Sequence, residues 1–425
     1  MKHQSALFVD LYELTMARAY VKGEMDGDAV FSLYYRSLPD DWEYAIACGL
    51  ETVLDYLVKL RFTPEECDWI ASREEFDDDF AAWLRDFRFT GEVRAVPEGT
   101  PIFPDEPILE IRAPIAQAQV VETFVMNQIH LQTVLASRAA RVVQAAGDAD
   151  VVDFGMRRMH GIDAAMKGAR AFYIAGVAAT SNVQAGRELG IPITGTMAHA
   201  YIQAYDSEME AFRAFSAIYP ETVLLVDSYD TVEGVRKVVA LAEELGADFR
   251  VRGIRLDSGD LGALAHASRA ILDDAGLESV QIIASGGLDE FKIRDLRASG
   301  APIDAYGVGT RMGVPPVLDI AYKLTSYAGK GRLKLSSGKR ILPGAKQIFR
   351  TDEGDILAGA DESHPGRPLL EGVMEGGRRT GARRSLDELR DRCADEVGRI
   401  ALPWEVRISD ALRARQDRVA DSVAP

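Results

Sequence analysis

The sequence predicts an α/β fold in which an irregular barrel of seven to eight parallel strands accompanies an α+β domain built from the N- and C-terminal segments. Between residues 150 and 310, short apolar runs alternate with amphipathic helical patterns, at the spacing of a strand plus a crossover helix. Most of these runs end in polar or glycine-rich residues. The first 140 residues lack this alternation, which indicates a second domain of different construction.

Seven apolar runs are predicted as strands, with a possible eighth at 321–327. The seven are 151–154, 177–180, 193–196, 222–227, 253–257, 280–285 and 305–309. Helical patterns, with apolar residues three and four positions apart, separate the later runs at 231–245, 261–275 and 289–299. A doubly wound open sheet is the alternative. The barrel is favoured because no GxGxxG motif opens the first strand–helix unit.

The remaining segments predict a mixed domain. Helices are expected at 7–21, 48–60, 64–86 and 385–400, a strand at 29–36 and a β-rich stretch at 89–112. A long helix at 123–146 leads into the barrel, and a basic, glycine-rich stretch at 329–340 follows it. We therefore expect an N-terminal domain at 1–135, the barrel at 136–328 and a segment at 329–425 that returns to the first domain.

The composition narrows the class of protein. The chain has 425 residues and a formal net charge of -17, which argues against nonspecific binding to nucleic acid or to anionic membranes. No apolar stretch is long enough to span a bilayer, and no signal peptide is evident, so a cytoplasmic protein is expected. Three widely spaced cysteines, Cys48, Cys67 and Cys393, predict neither a disulfide framework nor structural zinc.

Two glycine-rich turns follow the sixth and seventh predicted strands. Glycine lets backbone N–H groups approach a phosphate closely, and barrel enzymes often bind phosphate at the loops after their last two strands. The residues expected at a phosphate are Ser285, Gly286, Gly287, Gly307, Gly309 and Thr310. The alternative is a pair of tight turns that bind no ligand.

The fifth strand ends in the charged sequence RLDSGD. Unpaired charge is costly to bury, so Arg255 and Asp257 are predicted to act at a site rather than in a core. Asp257 is suited to holding ribose hydroxyls or a hydrated Mg²⁺. Asp227 and Asp230 follow the fourth strand and are suited to a related role, although Asp230 is equally suited to capping the next helix.

His199 follows the third predicted strand, in the sequence GTMAH. Its position on the same strand edge as Asp153, Asn182 and Asp257 predicts a general base or a nucleophile that accepts a phosphoryl group. His160 is a weaker candidate.

Phe154 and Arg157 pair an aromatic face with a guanidinium, which suits a small aromatic carboxylate. The alternative for this pair is core packing by Phe154 and a solvated Arg157.

Taken together, these motifs resemble the nicotinate phosphoribosyltransferase family. The resemblance covers most of the chain and rests on motifs in family order: DLYELTM, DFGMRR, ATSNVQAGRELGIPITGTMAH, LLVDSYDT, RLDSGDL, SGGLDE and APIDAYGVGT. It implies a barrel of the type II phosphoribosyltransferases, a second domain built from both termini, and a homodimer with shared active sites. The implied reaction joins nicotinate to 5-phosphoribosyl 1-diphosphate with coupled ATP hydrolysis and Mg²⁺, as the first step of NAD salvage from nicotinate.

The resemblance also implies roles for individual residues. His199 matches the histidine phosphorylated by ATP, and Phe154 matches one of two rings that enclose the base. Tyr12 matches the second ring, contributed by the partner subunit. Arg157 falls at a position that contacts base and phosphate, while Arg255 and Asp257 fall where the family contacts base and ribose. The remaining predicted substrate-binding residues are Asn182, Thr196 and Arg138, the last standing where many relatives have lysine.

Three other readings of the sequence remain. Nicotinamide or quinolinate is the alternative base, although quinolinate has a second carboxylate and calls for a denser cluster of basic residues. A phosphate-binding barrel lyase or isomerase is the alternative class of enzyme. An aldolase of that class needs a Schiff-base lysine at a strand end, whereas Lys167, Lys237 and Lys292 all fall in helical patterns.

Overall fold

The computed structural model describes residues 5–335 and 341–423 and divides the chain into two compact units. One unit is Leu135–Pro315, and the other combines Met1–Val134 with Pro316–Pro425. The last five residues of the basic stretch expected at 329–340 lie outside the described residues. Among the described residues, no helix is both long and apolar enough to cross a membrane.

The unit Leu135–Pro315 contains a six-stranded parallel sheet. Its strands are β1 (Asp150–Asp153), β2 (Ala179–Thr180), β3 (Val223–Leu225), β4 (Gly253–Leu256), β5 (Gln281–Ala284) and β6 (Ala305–Val308). They lie in the order β2-β1-β6-β5-β4-β3. Because the first strand pairs with the last, Val308 opposite Asp153, the sheet forms a parallel half-barrel whose carboxyl ends share one edge.

The third predicted strand is reduced to a single bridge. Ile193 is bridged to Thr180, and the segment from Gly195 to Ala198 has no regular structure. The neighbouring segment turns away directly after Thr180, because the Asn182 N–H donates to Thr180 Oγ1 and Asn182 caps helix Val183–Leu189. Residues 194–196 therefore have no strand of the described chain beside them with which to extend the pairing. The prediction of a strand over 193–196 was therefore wrong, and Thr196 lies in a loop.

The eighth predicted strand belongs to the other unit. Ile320–Tyr327 pairs antiparallel with Asp28–Tyr35, with Leu33 opposite Tyr322. An apolar run shows that a strand is buried but does not show which sheet it joins, so the assignment of 321–327 to the barrel was wrong.

Helices follow the strands of the half-barrel. They are Ile162–Ile174, Val183–Leu189, His199–Gln203, Glu208–Ile218, Thr231–Leu245, Leu261–Asp274, Glu290–Ala298 and Thr310–Gly313. Five of them begin at a polar side chain that accepts a backbone N–H of the first turn: Asn182, Ser207, Asp230, Asp260 and Asp289. Fully buried residues of three strands, Leu224, Ile254 and Ile282, share one core cluster with Val235 and Leu272 from these helices.

The other unit joins segments from both ends of the chain. Its seven-stranded sheet has the order Lys330–Gly331, Ile320–Tyr327, Asp28–Tyr35, Leu109–Pro114, Glu92–Ala95, Glu371–Glu375, Arg378–Arg379. A four-stranded sheet has the order Arg367–Pro368, Lys346–Arg350, Gly354–Gly359, Glu405–Ile408, and Ala45–Ile46 pairs with Pro101–Ile102.

The described residues of this unit also form eight helices. They are Leu11–Lys22, Leu50–Lys59, Pro64–Ala71, Asp78–Asp86, Ile115–Val120, Glu122–Ala146, Leu386–Gly398 and Asp410–Val423, and Glu122–Ala146 runs on into the half-barrel unit. The helix predicted at 64–86 is two helices, because the Asp77 side chain accepts the Phe80 N–H and starts a new one.

Candidate active site at the carboxyl ends of the parallel strands

The side chain of His199 lies between two polar groups. Its Nδ1 is 3.0 Å from Ser228 Oγ, and its Nε2 is 3.9 Å from Asp257 Oδ2. The His199 side chain is 40% exposed, so a reagent can reach the ring. The structure brings His199 and Asp257 together at one edge, and their roles stay predictions. Ser228 was not singled out from the sequence, although its place directly after Asp227 at a strand end was a usable signal.

Asp257 is fixed by contacts on both sides. Its Oδ1 accepts a hydrogen bond from Ser285 Oγ at 2.5 Å, and its backbone N–H donates to Asp227 Oδ2 at 3.0 Å. Ser258 Oγ also donates to Asp227 Oδ2, at 2.6 Å. Within the described part of the chain, the buried Asp227 Oδ1 has no hydrogen-bond partner. Two adjacent carboxylates, Asp227 and Asp257, therefore carry the negative charge of this edge.

Arg255 lies over the ring of Phe154, with the guanidinium carbon 5.8 Å from the ring centroid. Its Nη2 donates to Met197 O at 3.0 Å, while its buried Nε has no partner among the described residues. Burial lowers the pKa of the Arg255 guanidinium, and the nearby Asp257 and Asp227 oppose that shift.

The position of the Phe154 ring depends on Gly307. A Cβ at residue 307 would lie 2.4 Å from Phe154 Cε2, closer than any real contact. The Phe154 N–H also donates to Val308 O at 2.8 Å, which holds the backbone of Phe154 against β6. Gly307 thus has a packing reason to be glycine that is independent of any phosphate.

The loop after β5 approaches the loop after β4 closely. Gly286 has φ +91°, and a Cβ there would lie 1.8 Å from Asp257 O. The Ser285 N–H donates to Leu256 O at 2.7 Å, so the two loops are held at backbone distance. The following helix, Glu290–Ala298, begins at this loop with Asp289 as its cap.

Several predicted site residues already have structural partners. Asn182 is buried and caps Val183–Leu189, where its Oδ1 accepts the Ala185 N–H at 3.1 Å. The Thr196 hydroxyl donates to Met197 O at 3.3 Å. Asp153, whose pKa is raised by burial, accepts hydrogen bonds from the Gly155 N–H and the Thr180 hydroxyl. These residues shape the strand ends, and their predicted contacts with substrate stay predictions.

Other predicted residues lie on more open surfaces. Arg157 is exposed in the short 3₁₀ helix Met156–Arg158, and Thr310 is exposed at the start of Thr310–Gly313. Tyr12 lies in the other unit, on helix Leu11–Lys22, and is 47% exposed. The sequence left Asp230 undecided between a role at the site and a helix cap. In the structure it caps Thr231–Leu245 by accepting the Glu233 N–H at 2.9 Å.

The carboxylates at this edge determine how a divalent cation could be held. In residues 5–335 and 341–423, no group of three or more His, Cys, Asp or Glu side chains is arranged to hold a metal. Asp227 and Asp257 nevertheless offer carboxylate oxygens. They suit a Mg²⁺ ion that takes most of its ligands from water and a phosphorylated substrate.

Two family models match the chain. Residues 7–130 match the nicotinate phosphoribosyltransferase (NAPRTase) N-terminal domain, and residues 135–323 match the quinolinate phosphoribosyl transferase C-terminal domain. The chain is 53% identical over 415 residues to nicotinate phosphoribosyltransferase pncB2 of Mycobacterium tuberculosis, covering 96% of this chain and 89% of that protein. It is 40% identical over 375 residues to the nicotinate phosphoribosyltransferase of Bacillus subtilis, covering 84% and 76%.

Solved structures give a consistent picture. The fold is similar to that of human nicotinic acid phosphoribosyltransferase, with a TM-score of 0.85 at 25% identity, covering 96% of this chain and 99% of that chain. It is also similar to the nicotinate-nucleotide pyrophosphorylase of Pyrococcus furiosus, with a TM-score of 0.78 at 25% identity, covering 93% and 95%.

Proposed function

The chain belongs to the nicotinate phosphoribosyltransferase family, and we infer that it joins nicotinate to 5-phosphoribosyl 1-diphosphate, giving nicotinate mononucleotide and pyrophosphate in NAD salvage. The observation that carries this inference at the site is the Arg255 guanidinium beside the Phe154 ring, 5.8 Å from its centroid. This pairing suits a planar aromatic carboxylate, whose ring packs on an aromatic face and whose charge is met by a guanidinium.

We propose that the rest of the edge binds the phosphoribosyl group. The hydroxyls of the ribose would meet Asp257, whose orientation is set by Ser285 and by Asp227. The 5′-phosphate would meet the backbone of the loops at 285–287 and 307–310. Transfer breaks the bond between C1 of the ribose and a diphosphate oxygen and forms the bond from C1 to the nicotinate nitrogen. Holding the nicotinate nitrogen in line with C1 supplies much of the rate acceleration. The remaining requirement is to stabilise the negative charge of the leaving diphosphate.

Charge at the loop edge supports binding of an anion. Two cations lie beside the glycine-rich loops: Lys292 Nζ donates to Gly287 O at 2.9 Å, and Arg138 Nε donates to Arg311 O at 3.2 Å. Cations beside a loop can attract a polyanionic substrate even though the whole chain has a net charge of -17. When Mg²⁺ is bound, it would neutralise part of the diphosphate charge, and Asp257 would be the protein carboxylate nearest to it.

We propose that ATP is coupled to this reaction through His199. Ser228 holds Nδ1, which leaves Nε2 as the ring nitrogen open to a phosphoryl donor. Attack by Nε2 on the γ-phosphorus would form an N–P bond and release ADP. Later hydrolysis of that bond would return phosphate and the free imidazole. The phosphorylated histidine would favour a state that binds substrates more tightly.

We propose a homodimer in which Tyr12 reaches the site of the partner subunit. Support comes from helix Leu11–Lys22, which exposes Leu11, Tyr12 and Met16 at 57%, 47% and 36%. Large apolar side chains exposed together on one helix suit contact with a second copy of the chain.

The test is a product assay with purified protein, Mg²⁺ and 5-phosphoribosyl 1-diphosphate. Nicotinate, nicotinamide and quinolinate would each be offered with and without ATP. Nicotinate mononucleotide formed from nicotinate, and faster with ATP, is the expected result. Turnover of another base in preference to nicotinate would overturn the substrate assignment, and an equal rate without ATP would overturn the coupling.

A further inference from the structure

Glu290 is a buried carboxylate that contacts two arginines of helix Glu122–Ala146. Its Oε1 lies 2.7 Å from Arg138 Nη1 and 3.3 Å from Arg141 Nε. The Glu290 side chain is 2% exposed, and the side chains of Arg138 and Arg141 are 13% and 12% exposed. Charged groups are rarely buried to this extent unless the arrangement is specific, because each loses its hydration.

Arg138 also connects the two glycine-rich loops. Its Nη1 binds Glu290, three residues after the loop at 285–287, and its Nε donates to Arg311 O at 3.2 Å, directly after the loop at 307–310. Burial lowers the pKa of the Arg138 guanidinium, while the charge of Glu290 opposes that shift and favours the cation. One side chain therefore spans the ends of both loops, and Glu290 fixes its orientation.

We propose that Glu290 is a positioning residue for 5-phosphoribosyl 1-diphosphate, acting through Arg138 on the spacing of the two loops. Glu290 cannot bind the substrate itself, since it is buried and carries the same charge as a phosphate. The proposal rests on the proposed function, because it assumes that these loops bind the phosphates of that substrate.

The direction in which the KM for 5-phosphoribosyl 1-diphosphate changes distinguishes a positioning role of Glu290 from a purely electrostatic one. If Glu290 acted only as a nearby negative charge, its removal would reduce repulsion and lower the KM for 5-phosphoribosyl 1-diphosphate. If Glu290 positions Arg138, its removal releases the guanidinium from its buried contacts, and the same KM rises. The two roles thus predict opposite changes in one measured quantity.

The experiment compares Glu290→Gln with Glu208→Gln in the full chain. Glu208 is a close match: it too is the first residue of a helix and is 2% exposed. It too is paired with a basic side chain, Lys237 at 2.8 Å, and has one carboxylate oxygen without a partner in the described part of the chain. It lies on Glu208–Ile218, away from the two glycine-rich loops in sequence, so it controls for loss of a buried ion pair.

The expected result is a rise in the KM for 5-phosphoribosyl 1-diphosphate on the order of tenfold in Glu290→Gln, the scale of one charge-assisted contact. The KM for nicotinate should stay within about twofold, and Glu208→Gln should leave both values near wild type even if its Tm falls. Glu290→Asp keeps the charge and should recover part of the loss.

Three results would overturn the proposal: an unchanged or lower KM for 5-phosphoribosyl 1-diphosphate in Glu290→Gln, an equal rise in Glu208→Gln, or an equal rise in the KM for nicotinate. If Glu290→Gln does not fold, Glu290→Asp serves in its place, and a KM within twofold of wild type would overturn the proposal. Failure of the proposed function would be seen separately, because the wild-type protein would then form no nicotinate mononucleotide.

Discussion

His199 Nε2 lies 3.9 Å from Asp257 Oδ2, although 58 residues of the chain separate them. His199 begins helix His199–Gln203, which is separated from β2 by helix Val183–Leu189, and Asp257 directly follows β4. Both lie at the carboxyl edge of the parallel sheet. Because both side chains are more than one third exposed, this contact contributes little to stability and is better explained by the chemistry of the site.

Replacement of His199 by alanine should abolish stimulation by ATP and leave a slow transfer that does not need ATP. The phosphoryl acceptor is lost, whereas Phe154, Arg255 and Asp257 remain in place. Rates with and without ATP measure this directly. His266→Ala is the control, since His266 is exposed on helix Leu261–Asp274 of the same unit. Undiminished stimulation of His199→Ala by ATP would remove the phosphohistidine from the mechanism.

Asp257→Asn should lower kcat by a factor on the order of 100 or more, because the carboxylate charge is lost while the shape of the side chain is kept. The matched control is Asp260→Asn, since asparagine also caps a helix well and Asp260 caps Leu261–Asp274. Both variants should unfold near the wild-type Tm. Near-normal turnover in a folded Asp257→Asn protein would contradict the role given to this residue.

Gly307→Ala should raise the KM for nicotinate about tenfold or more, because the new methyl group would displace the Phe154 ring. A stability cost of about 1–3 kcal/mol is expected from the overpacking. Gly262→Ala is the control, since a Cβ there meets only ordinary contacts. Steady-state kinetics and thermal unfolding test both variants. A nicotinate KM equal to that of wild type would mean that Phe154 does not hold the base.

Mixing two inactive variants tests whether the sites are shared between subunits. Tyr12→Ala and Asp257→Asn should each be nearly inactive alone. After unfolding and refolding together in equal amounts, they should regain about a quarter of wild-type activity, because half of the dimers would be mixed and carry one intact site of two. Activity that stays at the level of the single variants, in a sample that sediments as a dimer, would place Tyr12 in its own subunit's site or outside any site.

The pH dependence of stability should be sensitive to Glu13. This carboxyl group is buried, and burial raises its pKa to about 8, although the Thr123 N–H donates to Oε1 at 3.0 Å. Between the ordinary carboxyl pKa and about 8, the folded state therefore binds more protons than the unfolded state. Stability from this group is present at low pH and is lost as the pH rises through about 8.

Glu13→Gln should remove this dependence, because glutamine resembles the protonated carboxyl group at every pH. The variant should therefore gain in Tm relative to wild type as the pH is raised from 5 to 8. Glu24→Gln, at an exposed residue beyond the end of the same helix, is the control. A Tm difference between Glu13→Gln and wild type that is constant over this range would contradict the prediction.

The alternation of apolar runs and helical patterns was enough to predict most strands and helices of the half-barrel. Strand and helix periodicities are local properties of the chain, so they can be recognised without the tertiary structure. Caps at Asp230, Asp260 and Asp289 are equally local. The run at 321–327 was misassigned because alternation does not identify the partner strand. The run at 193–196 was misassigned because its bridged neighbour, Thr180, is followed at once by a helix capped by Asn182, so residues 194–196 have no partner strand in the described chain.

At the site, the residue types and their order along the chain were enough to place Arg255 and Asp257 at the strand edge, because parallel strands bring their carboxyl ends together. His199 was placed there from a strand at 193–196 that the structure does not form, and the tertiary structure brings it beside Asp257. Only the tertiary structure paired Ser228 with His199, placed Arg255 over Phe154 and joined Arg138 to Glu290. These contacts link residues that are distant in sequence, and side-chain packing selects their geometry. The sequence alone thus determined which groups share the carboxyl edge of the sheet, and the packed structure decided which of them touch.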